Sequence, residues 1–282
     1  MKINKIEVNI TFFIISLGMF LLNFHNFSFI SLLFGFILAT LMIKLSDKTN
    51  LYNYKITKFI LFLLTIIIQP IYLNKITYFI SSNILRNYSG IVISLLLIIT
   101  CLLITKKGYH TIIKIILLSS YFFVTLLIIS IFLSSFYLEI ENYSTNLLTN
   151  NIFSNSIFYA IMLTYIYFII YGPSNAKISF KFLLINFLYQ LFTYLFIIGI
   201  LGTTLTNLYE FPFIIIFKKI NILDFIERIE FIFSLNYLFS FYYFLIISFY
   251  QIKSFIDKKK KYSNIFLLLI TILIYIISLL IT

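Results

Sequence analysis

Residues 209–230 read YEFPFIIIFKKINILDFIERIE and hold seven charged side chains, four of them acidic, in a chain that is 11% charged and 62% hydrophobic. A single charge at the centre of a bilayer costs about 2.5–3.5 kcal/mol. The stretch is therefore too polar to cross a membrane, and must lie at the surface or fold back into a cavity. On both sides of it run apolar segments long enough to span a bilayer, which takes roughly 20 residues. That contrast sets the class: an all-α, polytopic membrane helix bundle. It is read as a single transmembrane domain over 1–282, with 209–230 as an outer-face interfacial helical segment. A soluble globule of 282 residues cannot hide this much hydrocarbon.

The two halves of the stretch differ. Pro212 suits the first turn of a short helix, where its missing N–H costs nothing. The apolar run from Phe213 stops at Lys218 and Lys219, far too short to cross. Asn221 is then a good N-cap, with Asp224 three residues on in a capping-box-like place. Ile222, Phe225, Ile226 and Ile229 share one side of a helix, while Asp224, Glu227 and Arg228 share the other. Asp224 and Arg228 form an i,i+4 pair of favourable polarity. One reading is a solvated face on an interfacial helix; the other is a docking or gating element built on Asp224, Glu227 and Arg228.

The remaining chain divides into nine expected spans, at about 8–24, 27–43, 58–80, 88–105, 109–137, 152–171, 180–207, 229–252 and 262–282. Lys2 and Lys5 precede the first apolar run and no small-residue cleavage site follows it, so it is read as a retained span. Gly18 near its middle either breaks the helix or makes a packing contact. Gly35 and Ala39 are a small-x-x-x-small pair suited to close helix approach. Pro70 frees the carbonyl of Ile66, which is tolerable only where protein or a wet cavity satisfies it, and makes Gln69 a cavity candidate. Span six is polar-aromatic, with Thr164, Tyr165 and Tyr167, and Gly172-Pro173 reads as its stop. Such Tyr and Thr side chains suit a binding cavity, although Tyr is also an ordinary interface anchor.

Charge orients the bundle. With the N-terminus in the cytoplasm, sixteen Lys and Arg fall in the inside connections and five outside. That is a strong positive-inside bias, and it puts 209–230 and the C-terminus on the outer face. The net charge of +12 is spread between spans, without a basic helix or an aromatic-interleaved patch, so nucleic acid is not an expected partner. The expected partner is the lipid bilayer. Cys101 is the single cysteine, and His25 and His110 have no ligand-spaced partner, so no metal site or cofactor is expected. No nucleophile–base pair, phosphate loop or paired carboxylates point to catalysis, and no catalytic residue is assigned. The chain reads as not an enzyme. No acid falls mid-membrane in any span, which gives proton coupling little support.

The motif Phe211-Pro212-Phe213, Lys219, Ile220-Asn221, Asp224-Phe225-Ile226-Glu227-Arg228 and Glu230 resembles the GerAB-type family. These are permease-like B subunits of bacterial spore germinant receptors, in the amino acid–polyamine–organocation superfamily. The resemblance covers some 25–50 residues of the chain. It implies an inverted-repeat, five-plus-five transporter fold, here lacking its last span, with spans one and six interrupted and lining a ligand site. Carried onto this chain, that site falls at Gly18, Thr164, Tyr165 and Tyr167. It also implies a small nutrient ligand such as an amino acid, a larger membrane subunit and a lipoprotein as partners, and the spore inner membrane as location. This chain departs from the family pattern: it has Thr164-Tyr165-Ile166 where an acid is usual before Pro173, and no Pro in span one. The expected function is a nutrient receptor subunit. The alternatives are a secondary amino-acid transporter of the same fold, or a shortened scaffold that binds no ligand. Arg228→Ala is expected to disturb assembly or signalling more than ligand affinity.

Overall fold

The computed structural model describes residues 4–143, 151–174, 176–219, 229–256 and 263–281. Among them the chain forms α-helices and short 3-10 turns, with no strand. The helices are α1 (Lys5–Leu22), α2 (Phe29–Thr49), α3 (Lys55–Asn83), α4 (Gly90–Lys106), α5 (Tyr109–Ser135), α6 (Ile152–Ser174), α7 (Phe180–Leu208), α8 (Pro212–Lys219), α9 (Ile229–Ile256) and α10 (Ser263–Leu280). Seven are long and apolar enough to cross a membrane: α1, α2, α3, α5, α6, α7 and, over Ile232–Ile256, α9. The apolar helices α4 and, over Ile265–Leu280, α10 are shorter. Each expected span thus coincides with a helix.

Local chemistry sets several ends. Asn4 and Glu7 cap each other's backbone at the start of α1 in a capping box. Ser28 and Ser31 do the same for α2, each hydroxyl accepting the other's N–H. Span six ends at the Gly172-Pro173 signal: Pro173 lies in the last turn of α6, which ends at Ser174, whose hydroxyl donates to the Ile170 and Tyr171 carbonyls.

The connections sort to two ends of the bundle. At the N-terminal end, Asn9 accepts the Ser179 N–H, Lys177 pairs with Asp47, the Tyr109 hydroxyl donates to Ile170 O, and Lys253 donates to Thr105 O. At the far end, Lys75 meets Asn23, the Phe211 ring meets Phe79, and the Tyr275 hydroxyl reaches Ile91 O. The helices therefore alternate up and down, as the tally of basic residues required.

Packing divides them further. α1 and α2 each pack on α6 and α7, while α3, α4, α9 and α10 contact one another, and α1 and α6 join the two groups through α9. α2 and α6 run alongside each other in the same direction. Gly35 makes this possible, since a Cβ there would stand 2.7 Å from Ser156 O, and Ala39 is buried beside it. α1 is apolar all round and buried for most of its length, which is the condition for a central helix.

Two expectations carried by the family resemblance are corrected. α1 and α6 are continuous, not interrupted. Gly18 is a contact glycine: a Cβ would lie 2.6 Å from Ser240 Oγ, so it lets α9 approach α1. The break falls in α7 instead, at Gly202, with φ 71° and ψ 165°. Only glycine enters that region readily. The carbonyl of Gly199, one turn before, is taken by the Glu139 N–H at 3.0 Å and Asn142 Nδ2 at 2.9 Å from the turn after α5.

In the first half of the 209–230 stretch, Phe211, Phe213, Ile214, Ile216 and Phe217 are buried and α8 packs on α5, α7 and α9, while Tyr209, Glu210 and Lys218 are exposed. Asp224, Glu227 and Arg228 lie outside the described residues.

Candidate functional site

Two helix faces define a cleft. Ile68, Ile71, Tyr72 and Lys75 of α3 follow the spacing i, i+3, i+4, i+7, and so do Phe158, Ile161, Met162 and Tyr165 of α6. Each set is one stripe along its helix. α1 adds Met19, with Asn23 and Asn26 from the turn that ends it. The cavity has a volume of about 260 Å³. Ile71 and Ile161 are 42% and 49% exposed, so the flanks of the cleft reach the outer, lipid-facing surface of the bundle.

Its polar groups gather at the far end. α1 stops at Leu22, and the Asn23 N–H turns back to the last carbonyls. The buried Asn23 side chain donates from Nδ2 to Met19 O at 2.7 Å and to the Tyr72 hydroxyl at 2.9 Å. Its Oδ1 accepts from Lys75 Nζ at 3.0 Å. The ammonium also stands 5.9 Å from the Tyr72 ring centroid. A cation here complements the negative end of the α1 dipole. The exposed Glu210 acts on Lys75 electrostatically from outside the lining. No Asp or Glu among the described residues lines the cleft. Deeper in, the Tyr165 hydroxyl donates to Thr65 Oγ1 at 3.2 Å, and both Tyr165 and Tyr72 pack edge-on to Phe244. The arrangement is an apolar slot with an ammonium, an amide and a phenol at one end, suited to holding a small molecule by an anionic head and an apolar body.

Of the site residues expected from the sequence, the fold brings Tyr165 to this cleft and leaves the others elsewhere. Gly18 is occupied by its contact with α9. The Thr164 hydroxyl donates to the carbonyls of Ala160 and Ile161 on its own helix. Tyr167 points to the N-terminal end, where its hydroxyl donates to Asp47 Oδ1. Gln69 is fully buried, and its Nε2 donates to Leu245 O at 3.2 Å, tying α3 to α9. Asn23, Tyr72 and Lys75 were missed. Lys75 was counted among the far-side charges although it falls inside span three. The signal that finds it is the apolar stripe Ile68, Ile71, Tyr72, which ends on this lysine one turn later.

A second cavity of about 210 Å³ lies between α3, α4 and α10, lined by Asn74, Thr77, Ser94 and Ser278 without a charged group. Among the described residues no cluster of His, Cys, Asp and Glu could hold a metal ion. No protein-family model, curated protein or solved structure matches the chain.

Proposed function

We propose that the protein is a membrane-embedded receptor subunit that binds a small nutrient such as an amino acid, on the plan of the B subunit of a spore germinant receptor. The observation that carries the reading is the cleft between α1, α3 and α6: preformed, of ligand size, and closed at its far end by Lys75, Asn23 and Tyr72. A carboxylate is the head group these donors suit. No carboxylate among the lining residues is placed to carry a proton with the ligand, which favours recognition over coupled transport. The basic N-terminal end faces the cytoplasm by the positive-inside rule. The cleft then opens toward the outer half of the cell membrane, or of the spore inner membrane. No group in it is arranged for bond-breaking, and the protein is read as not an enzyme. The larger membrane subunit and the lipoprotein of such receptors are the expected partners.

The test is reconstitution into proteoliposomes with labelled L-leucine, reading binding and uptake under sodium and proton gradients. Saturable binding without gradient-driven uptake is the expected result. Concentrative uptake would make the protein a transporter. Absence of binding for every nutrient tried would leave a scaffold.

A further inference from the structure

We infer that the ligand of this cleft is an apolar monocarboxylate that enters sideways from the bilayer, with Lys75 as its anchoring residue. The inference rests on the reading of the cleft as the ligand site and narrows what occupies it.

Three observations carry it. The first is position. α3 has 29 residues, about 43 Å at 1.5 Å per residue, so it overhangs a hydrocarbon core of about 30 Å at both ends. Lys75 lies eight residues, about 12 Å, from the end of α3, close to the boundary between head groups and acyl chains. From there the slot runs back past Ile71 to Ile68, about 10 Å into hydrocarbon. An ammonium at the interface above an apolar slot matches a carboxylate above a hydrocarbon tail.

The second is access. The flanking residues Ile71 and Ile161 are exposed on the lipid-facing surface, on two helices that contact each other only slightly. A membrane-dissolved amphiphile reaches the slot between them without passing through the protein.

The third is the hydrogen-bond inventory at the rim. Lys75 offers three N–H groups, of which one goes to Asn23 Oδ1. The Tyr72 hydroxyl already accepts from Asn23, which leaves its own proton to donate. The rim has donors to spare for a carboxylate, and no carboxylate among the described residues lines the slot to take them up. A carboxylate head is therefore favoured over a neutral amide on the same skeleton.

The experiment uses the full chain in nanodiscs of zwitterionic lipid, with labelled octanoate as probe and octanamide, 2-aminooctanoate and phosphatidylglycerol as competitors. Octanoate is expected to bind saturably, with 2-aminooctanoate competing for the same slot and the neutral amide competing about 10-fold or more less well. Lys75→Met should weaken octanoate about 10- to 100-fold and leave octanamide unchanged, while Lys75→Arg stays within a few-fold of the parent. A purely structural Lys75 would instead lower thermal stability and alter all three ligands alike, which overturns the anchoring role. Equal binding of octanoate and octanamide overturns the carboxylate preference but keeps the receptor reading. Binding of none of the three removes both. Displacement of octanoate by a few mole per cent of phosphatidylglycerol assigns the slot to a two-chain lipid and overturns the single-chain proposal. Should Lys75→Met fail to fold, the competition series on the parent protein decides alone.

Discussion

The two halves of α6 are equally aromatic and do opposite things. Its far half, Phe158 to Tyr165, lines an open cleft. Its near half is sealed. Tyr167 donates to Asp47, Tyr171 stacks on Tyr167 and meets Tyr52 edge-on, and Gly172 leaves the space that the Tyr52 hydroxyl fills. Lys58 stands over the Tyr52 ring at 5.0 Å, and the Gln251 side chain of α9 acts on the Tyr52 hydroxyl from beside it. What separates the halves is the supply of polar partners. Near the N-terminal end, α2, the α2–α3 turn and α9 each bring a group that completes a tyrosine. Along the far half, α3 meets Tyr165 with Thr65 and then faces the cleft with Ile68 and Ile71 until Tyr72 and Lys75. The near half of α6 closes where polar groups of three neighbours converge on it, and the far half leaves a cavity where α3 turns Ile68 and Ile71 toward it.

This contrast can be broken from the sealed side first. Gly172→Leu is expected to have the largest effect. Even a Cβ at 172 would stand 2.0 Å from the Tyr52 hydroxyl, so the ring must leave its slot. Overpacking of this kind costs about 3 kcal/mol. A fall in melting temperature, with faster labelling of Ser174→Cys by an impermeant maleimide, would show that the seal has opened. An unchanged labelling rate would mean that Tyr52 is not what closes this end.

Tyr167→Phe comes next. It removes the donor from a carboxylate that is 27% exposed, at a cost of about 2 kcal/mol for a hydrogen bond to a charged group. The equivalent change on the cleft side, Tyr165→Phe, removes a neutral bond to Thr65 and should cost about 1 kcal/mol. Measured together, the two substitutions weigh the halves of α6 against each other. Equal losses would contradict the distinction between a charge-anchored seal and a cleft wall. Alkali gives a softer probe of the same seal. Burial raises the Tyr52 phenol above its ordinary 10.0. The unfolded chain then loses this proton before the folded chain does, so the seal holds below pH 10 and weakens as pH rises beyond it.

Much of the fold was legible because lipid permits so little. Every backbone polar group must be satisfied inside a membrane, so an apolar run of the right length is a helix, and the nine expected spans fall on nine helices. Charge counting gave the alternation for the same reason. The cleft was much less legible. Gly18 and Gly202 look alike in sequence, yet one packs on Ser240 and the other breaks α7. Nothing local distinguishes them, since the choice depends on what stands opposite. Tyr165 and Tyr167 are two residues apart, and hence on different faces of α6, so a reading that grouped them by proximity could place only one at the cavity. Lys75 was hidden by its charge, because a lysine near the end of a span reads first as an anchor in the head groups.

The smallest expected effect tests how far surface charge contributes to the sealed end. Lys177 Nζ lies 3.9 Å from Asp47 Oδ1, and its side chain is 48% exposed. It also donates to Asp47 O at 3.3 Å. A pair this exposed is worth about 0–1 kcal/mol and is screened by salt. Lys177→Ala should therefore shift stability by less than Tyr167→Phe, and the difference from the parent should vanish at high ionic strength. A loss as large as that of Tyr167→Phe, persisting in salt, would move the source of the seal from the tyrosine cluster of α6 to the ion pair outside it.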